Sequence, residues 1–175
     1  PGATTGVTLM EVDETGENTI VLVCGANDEL TCDMITERAD AIREARVLLL
    51  QLETPMVCVN HAAALARQAG CLVVLDPAPA QPVPDAVLAL CDYVTPNETE
   101  LSVLTGKCVD TIDEAIEAAG ALLQRGARAV INKRGAQGAL LVTRAGAQLF
   151  PGYKVATVDT TAAGDTFNAA LAVGL

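Results

Sequence analysis

Aromatic side chains are scarce in this sequence, which has no Trp, two Tyr, two Phe and a single His, His61. A core must therefore be built from aliphatic residues, and the chain, 51% hydrophobic over 175 residues, has enough of them for one domain or most of one. His61 has no evident acidic or metal-binding partner in the pattern. The sequence thus offers no Ser-His-Asp or Cys-His arrangement for nucleophilic catalysis.

Basic residues are also few: 11 Lys and Arg stand against 22 Asp and Glu, a formal net charge of −11. A surface this acidic repels phosphate backbones, which argues against binding to nucleic acid or to an anionic membrane. It also repels ATP in general. A nucleotide site would therefore have to rest on backbone amides, a helix N-terminus, a metal ion or a few fixed cations.

The six cysteines form no CxxC pair, and their spacings fit no common metal site. Several lie in apolar surroundings, such as Cys71 in the run CLVVLD, so we interpret them as reduced core thiols of a cytoplasmic protein. No apolar run approaches the ~18 residues that a membrane span requires. No signal-peptide pattern is recognisable either.

Short apolar strands alternate with amphipathic helices along the chain. This alternation predicts an α/β fold of three α/β/α layers with a mainly parallel central sheet. Residues 1–28 are predicted to form a β-hairpin around the turn-rich link 13–17 and its connection to the core, and 29–175 the α/β core. The predicted helices are 33–45, 55–69, 86–90, 97–104, one from 111 that ends at Gly126, and one from 164 onward; the core strands are 47–52, 71–76, 93–95, 129–131, 139–142, 147–150 and 154–158.

The segment V-D-T-T-A-A-G-D-T-F, residues 158–167, carries the clearest chemistry. A strand ends, small residues follow and a helix begins, so unpaired amides and the helix dipole form an anion cradle. Such a cradle suits a transferring phosphoryl group, and Asp165 in the same turn could take a proton from an attacking hydroxyl. An isolated A-G-D would more often be only an N-cap beside a tight turn.

The string D-T-T-A-A-G-D-T-F closely resembles D-T-x-(G/A)-A-G-D-x-F, the signature of the carbohydrate kinase family that contains ribokinase. The resemblance covers essentially the whole chain in the right order. It therefore implies a ribokinase-like fold with a small β lid hairpin. The other matching segments are the lid from Thr5 to Asn27, Q-L-E at 51–53, D-P-A-P-A at 76–80 where the family has N-P-A-P-A, T-P-N-E-T-E at 95–100 and L-T-G at 104–106.

The resemblance implies roles for the residues that match. Asp165 would be the catalytic base that meets the sugar's primary hydroxyl, and the amides of Ala162, Ala163 and Gly164 would form the anion hole. Glu53 would accept a hydrogen bond from a sugar hydroxyl. Its place after a parallel-type strand fits a ligand site, because open α/β sheets bind ligands there. A solvated acid after a strand is the alternative for Glu53.

Asn97 and Glu100 match the family's N-x-x-E motif, which implies a part in organising Mg²⁺ and phosphate oxygens, with Glu100 acting through water. Residues three apart share one helix face, and hard oxygen ligands suit Mg²⁺. The pair also fits an N-cap with its capping-box acid, and both interpretations can hold together.

The segment K-R-G-A-Q-G aligns with the nucleotide loop of the family, where ribokinases usually have Thr-Leu at the first two places. The cations of Lys133 and Arg134 could contact ATP phosphates, although a solvated side chain is equally compatible with Arg134. The predicted ATP-binding residues are Asn97, Lys133, Arg134, Gly135, Ala136, Gln137, Gly138 and Gly164.

Asp159 and Thr161 align with part of the family's monovalent-cation site, which implies K⁺ held by the Asp carboxylate and the Thr carbonyl. The resemblance also implies further segments at both ends, including the remaining cation ligands. We therefore expect this 175-residue piece to be a poor catalyst alone. The lid implies a homodimer in which strands of two subunits pair.

These patterns lead to one preferred hypothesis and two alternatives. The preferred one is ATP-dependent phosphorylation of ribose to ribose 5-phosphate. The first alternative is a sibling kinase for fructose, a deoxysugar or a nucleoside, and the second is a non-catalytic ligand-binding or dimerisation module with the same fold. A dinucleotide-binding oxidoreductase is disfavoured because no G-x-G-x-x-G follows an early strand.

Overall fold

The structure is a computed structural model and describes residues 2–12, 18–156 and 159–175. Strands β1 (Val7–Val12) and β2 (Asn18–Val23) pair antiparallel, which confirms the predicted hairpin. The link 13–17 lies outside the described residues. One face of this ribbon exposes apolar side chains that face each other across the strands, and we call this set the ribbon patch: Val7, Leu9, Val21 and Val23.

A six-stranded sheet forms the centre of the molecule, with the strands in the order β3-β4-β5-β6-β7-β8. The neighbours from β3 to β6 pair in parallel, and β7 and β8 extend the sheet as an antiparallel hairpin. The predicted parallel centre is therefore confirmed. The strands are β3 (Val47–Leu50), β4 (Leu72–Leu75), β5 (Tyr93–Val94), β6 (Ala129–Lys133), β7 (Ala139–Thr143) and β8 (Gly146–Phe150).

The helices begin and end close to the predicted positions, with one exception. The helix predicted at 33–45 is two short helices, because the backbone of Arg38 leaves the helical range (φ −113°, ψ 13°) and turns the chain so that Ala39 is buried. The helices are α1 (Cys32–Thr36), α2 (Ala39–Glu44), α3 (Met56–Ala69), α4 (Asp85–Leu88), α5 (Glu98–Thr105), α6 (Ile112–Gln124) and α7 (Ala163–Gly174).

Side-chain caps fix the start of the best-defined helix. The hydroxyl of Thr111 accepts a hydrogen bond from the Glu114 amide, and the Glu114 carboxylate accepts one from the Thr111 amide. These reciprocal bonds satisfy amides that the first turn leaves without partners. They also lower the pKa of Glu114.

The core is aliphatic, as the lack of aromatic residues requires. Val73, Leu75 and Val130 of the sheet belong to one buried cluster with residues of α3, α4, α5 and α6. These helices therefore cover one face of the sheet, while α7 packs against β3.

The prediction of a strand at 154–158 is wrong for the residues that the structure describes, 154–156. Residues 151–156 have no regular structure, and 157–158 lie outside the described residues. Val155, inside the predicted strand, is 75% exposed, so this segment is not buried against the sheet.

Candidate active site

Polar residues gather where the parallel strands end. Gln51 follows β3, and Asp76 follows β4. Asn97 lies just beyond the end of β5, after Thr95 and Pro96, and Lys133 is the last residue of β6. Backbone hydrogen bonds connect the ends of neighbouring strands. The Asp76 amide donates to Leu50 O at 2.8 Å, and the Lys133 amide donates to Pro96 O at 2.8 Å. The carboxyl ends of parallel strands are where open α/β sheets bind ligands.

Asp165 reaches this edge from helix α7. Ala162 holds the left-handed conformation (φ 57°) and precedes α7, so that Asp165 falls in the first helical turn. The carboxylate is exposed, and its Oδ1 accepts a hydrogen bond of 3.2 Å from the side-chain amide of Gln51. Both line one cavity, whose walls are Leu49, Leu50, Gln51, Asp76, Asp165 and Asn168.

The residues predicted for the anion hole lie at the start of α7. The Ala163 amide donates to Thr160 O at 3.1 Å, so the turn itself engages this donor. Gly164 and Asp165 occupy the second and third positions of α7, where backbone amides have no acceptor one turn earlier in the helix. The positive end of α7 thus lies beside the carboxylate of Asp165.

A buried ion pair lies next to the start of α7. The ammonium of Lys133 donates to both carboxylate oxygens of Asp76, at 2.8 and 3.0 Å. Asn168 Nδ2 donates to the same carboxylate at 2.5 Å. A Cβ built on Gly164 would lie 3.4 Å from Lys133 Nζ, so the ammonium sits directly against the backbone of α7.

Asn97 and Glu100 form a complete capping box on α5, as one of the two interpretations predicted. Glu100 accepts from the Asn97 backbone amide at 2.7 Å and from its side-chain amide at 2.9 Å. Burial raises the pKa of Glu100, while the Asn97 amide and the nearby Lys133 ammonium act in the opposite direction. The Glu100 carboxylate lies 3.9 Å from Lys133 Nζ, which brings this motif to the same edge.

The oxygen donors of Asn97 and Glu100 fit Mg²⁺, which binds through one or two carboxylates together with water and substrate phosphates. Within residues 2–12, 18–156 and 159–175, no three His, Cys, Asp or Glu side chains come together as a metal-binding group. An ion here would therefore depend on phosphate and water oxygens.

The loop predicted to bind the nucleotide continues from the end of β6 as a single turn over Gly135–Gln137. The Arg134 amide donates to Gly138 O at 2.9 Å and closes the loop. The Arg134 guanidinium is buried and donates to Asn132 Oδ1, to Val109 O and to Asp110 O. In this structure its side chain holds the loop to the core, and it is neither solvated nor directed at the site.

Asp159 and Thr161 lie together in the turn before α7. Asp159 Oδ1 accepts a hydrogen bond of 2.8 Å from the Thr161 amide, and this bond lowers the pKa of Asp159. A carboxylate kept ionised at this point suits a cation ligand. The structure thus brings together the two residues predicted for the monovalent ion.

Glu53 lies at the same end of β3, near enough to Cys24 for its charge to act on that thiol. Burial, followed by the charges of Asp28 and Glu53, raises the pKa of the Cys24 thiol. Glu53 is partly buried and is not among the residues that line the cavity with Asp165.

Sequence reasoning missed three residues of the site: Gln51, Asp76 and Asn168. Gln51 belonged to the Q-L-E match, but only its glutamate was selected. The signal for Asp76 was the acid at the end of an otherwise apolar strand. Asn168 follows Asp165 by three residues and so shares its helix face.

No helix in the described part of the chain has both the length and the apolar character needed to cross a bilayer.

Comparisons with known proteins agree with this arrangement. The ribokinase of Haemophilus influenzae is 41% identical over 172 residues, which are 98% of this chain and 56% of that protein. The deoxyribokinase of Salmonella typhi is 38% identical over 168 residues, 95% of this chain and 55% of that protein. The structure of Arabidopsis thaliana ribokinase complexed with ribose and ATP superimposes with a TM-score of 0.90 at 34% identity, covering 98% of this chain and 56% of that one.

The chain thus spans about half the length of the curated relatives it matches. Residues 1–175 match the family described as pfkB family carbohydrate kinase. With the fold and these relatives in agreement, the chain belongs to the pfkB family of carbohydrate kinases.

Proposed function

We propose that the complete protein is an ATP-dependent sugar kinase that phosphorylates the primary hydroxyl of ribose. The observation that carries the proposal is the position of Asp165: an exposed carboxylate in the first turn of α7, on a cavity at the carboxyl edge of the sheet. A carboxylate beside backbone amides that favour an anion supports a role for Asp165 as the proton acceptor.

In the proposed reaction, Asp165 accepts the proton of the sugar hydroxyl as its oxygen forms a bond to the γ-phosphorus of ATP. The bond between that phosphorus and the β,γ-bridging oxygen breaks, and ADP leaves. The hydrogen bond from Gln51 orients the Asp165 carboxylate. The amides at the start of α7 stabilise the charge on the transferring group.

The ATP phosphates would lie between α7 and the ends of β5 and β6. Asn97 and Glu100 would hold Mg²⁺, which when bound neutralises phosphate charge. Asp159 and Thr161 would hold K⁺ at the turn before α7, and Glu53 would meet a sugar hydroxyl from the lid side. The loop from Lys133 to Gly138 would border the nucleotide.

Ribose is the preferred substrate because relatives named ribokinase reach 41% identity. A 2-deoxypentose is the second candidate, because a deoxyribokinase is nearly as similar at 38%. The test is ADP formation by the complete protein with MgATP and ribose, 2-deoxyribose, fructose or a nucleoside, with products identified by ³¹P NMR. The proposal requires the highest kcat/KM with ribose. Absence of acceptor-dependent ADP formation throughout the panel would refute kinase function.

We also propose that the complete protein is a homodimer joined through the ribbon patch. Four exposed apolar side chains on one face of a two-stranded ribbon are costly in water, and burial against a second ribbon removes them from solvent. Leu9→Lys should shift the mass measured by light scattering from dimer to monomer. An unchanged dimer in that variant would place the interface elsewhere.

A further inference from the structure

Asp76, Lys133 and Asn168 form a buried polar cluster against the first turn of α7, and we call it the lysine clamp. The side chains of Lys133 and Asp76 are only 14% and 6% exposed. Two of the three ammonium N–H groups are taken by the two oxygens of Asp76. No other acceptor among the described residues bonds this ammonium, so its third N–H group is available to a ligand.

The place of the ammonium points to an anion. A helix N-terminus carries partial positive charge, so cations stabilise the opposite end of a helix. Lys133 Nζ nevertheless lies against Gly164, the second residue of α7. In the free protein the Asp76 carboxylate, whose Oδ2 lies 3.9 Å from the same Cβ position, balances the charge of the ammonium. A ligand anion seated between the ammonium and the start of α7 would be attracted to both.

Stability alone is a poor explanation for the charged pair. Burying an ion pair removes two charges from water, and an uncharged pair of similar shape is often as stable. The family that this chain resembles has an uncharged pair at these two positions: Asn at the start of N-P-A-P-A and Thr at the first place of the nucleotide loop. In this chain both places differ, and the two new residues, Asp76 and Lys133, contact each other at 2.8 Å.

Asn168 fixes the direction of the Asp76 carboxylate. Its Nδ2 donates to Asp76 Oδ2, and reversing the amide would direct an oxygen at a carboxylate. Its Oδ1 is buried without a hydrogen-bond partner among the described residues. An unpaired buried oxygen costs stability, so this geometry is better explained by the alignment of Asp76 than by packing. Without that alignment, Glu100 at 3.9 Å is the competing carboxylate for Lys133.

We propose that Asp76 and Asn168 are positioning residues that hold the Lys133 ammonium, whose third N–H donates to a phosphoryl oxygen of the bound nucleotide. This inference rests on the proposed kinase function. Asp76 keeps the ammonium at α7 and prevents its move to Glu100. Asp76 does not itself touch the reacting atoms.

The test is a double-mutant cycle in the complete protein with Asp76→Asn, Lys133→Thr and the double variant, which restores the uncharged pair. Lys133→Thr leaves an unbalanced carboxylate facing the phosphates, so we expect kcat to fall by about 10²-fold and KM for MgATP to rise. Asp76→Asn releases the ammonium, with a fall in kcat of about tenfold or more. The double variant should recover to within about threefold of wild type, because the two changes are coupled.

Asn168→Ala provides a variant that is expected to fold, since it removes an unsatisfied oxygen together with one bond. It should lower kcat by about three- to tenfold and leave KM for the sugar unchanged. Asp92→Asn is the matched control, because Asp92 is an equally buried acid paired with Arg67 and Arg128 at the opposite edge of the sheet. It should lower the melting temperature without changing KM for MgATP.

Two results would overturn the positioning role: single effects that multiply in the double variant, or an Asn168→Ala variant with unchanged kcat. These results presuppose a wild-type protein that turns over, so they are distinct from failure of the kinase proposal. Calorimetric titration with a non-hydrolysable ATP analogue provides a binding readout in either case. Lys133→Thr should weaken that binding and the double variant should restore it; equal affinity in all four proteins would also refute the inference.

Discussion

The side-chain amide of Gln51 donates a hydrogen bond of 3.2 Å to Asp165 Oδ1, although the two residues are 114 positions apart. This bond joins the end of β3 to the first turn of α7. It gives the carboxylate a defined orientation while the residue remains exposed to the cavity. A proton acceptor needs this combination of fixed direction and access.

Asp165→Asn should lower kcat by ~10²- to 10⁴-fold, because an amide cannot accept the hydroxyl proton. The affinity for MgATP should be largely kept, since the backbone amides of α7 are unchanged. Steady-state kinetics of the complete protein with a calorimetric Kd for the ATP analogue would measure both.

Asp113→Asn is the control for that change, because Asp113 is an exposed acid in the first turn of α6 and lies outside the cavity. It should retain wild-type kcat. If Asp165→Asn also retained kcat, Asp165 would not be the base.

Local patterns in the sequence predicted most elements of the fold. The capping box at Thr111 and Glu114 and the left-handed Gly70 that ends α3 each depend on residues within a few positions of one another. Such short-range relations are visible in a sequence because the helix period fixes which side chains are neighbours.

Contacts between distant segments could not be predicted in this way. The pairing of Asp76 with Lys133 spans 57 positions, and each residue alone looked like a single departure from a family pattern. Arg134 was equally ambiguous, because only the fold shows that carbonyls of the loop before α6 surround its guanidinium. The strand expected at 154–158 is absent from its described part, because a strand needs a neighbouring strand to pair with and a short segment of sequence does not show whether one is available.

Arg134→Ala should destabilise the protein by about 2–4 kcal/mol, because buried acceptors such as Asn132 Oδ1 and Val109 O would lose their hydrogen-bond donor. Arg134→Lys should recover only part of this loss, since an ammonium cannot reproduce the guanidinium geometry. Urea unfolding would measure the change. Arg144→Ala, in the exposed turn between β7 and β8, should stay within about 0.5 kcal/mol of wild type. Equal effects at 134 and 144 would contradict the structural role.

Two glycines of the same chain should respond to alanine in opposite directions. Gly138 has φ 98°, and a Cβ there would lie 2.0 Å from the Phe150 carbonyl oxygen, so Gly138→Ala should cost more than about 3 kcal/mol. Gly120 lies inside α6 with nothing within 4 Å of the added Cβ, so Gly120→Ala should stabilise by about 0.5–1 kcal/mol. Denaturant midpoints of both variants would check the signs. A tolerated alanine at 138 would mean that the loop at residues 134–138 does not pack against residues 150–152.

The cysteines should differ sharply in their reactivity towards thiol reagents. Thiolates react and thiols do not, and burial raises the pKa of Cys91 to about 12, so almost none of its thiolate exists at pH 8. Burial also raises the pKa values of Cys58 and Cys71, whereas Cys108 is exposed. We therefore expect iodoacetamide at pH 8 to label Cys108 first in the folded protein, and all six cysteines only in guanidinium chloride. Peptide mass mapping would identify the labelled positions, and Cys108→Ser should abolish the fast phase. Early labelling of Cys91 in the folded state would mean that the helix-covered face of the sheet opens far more readily than its packing implies.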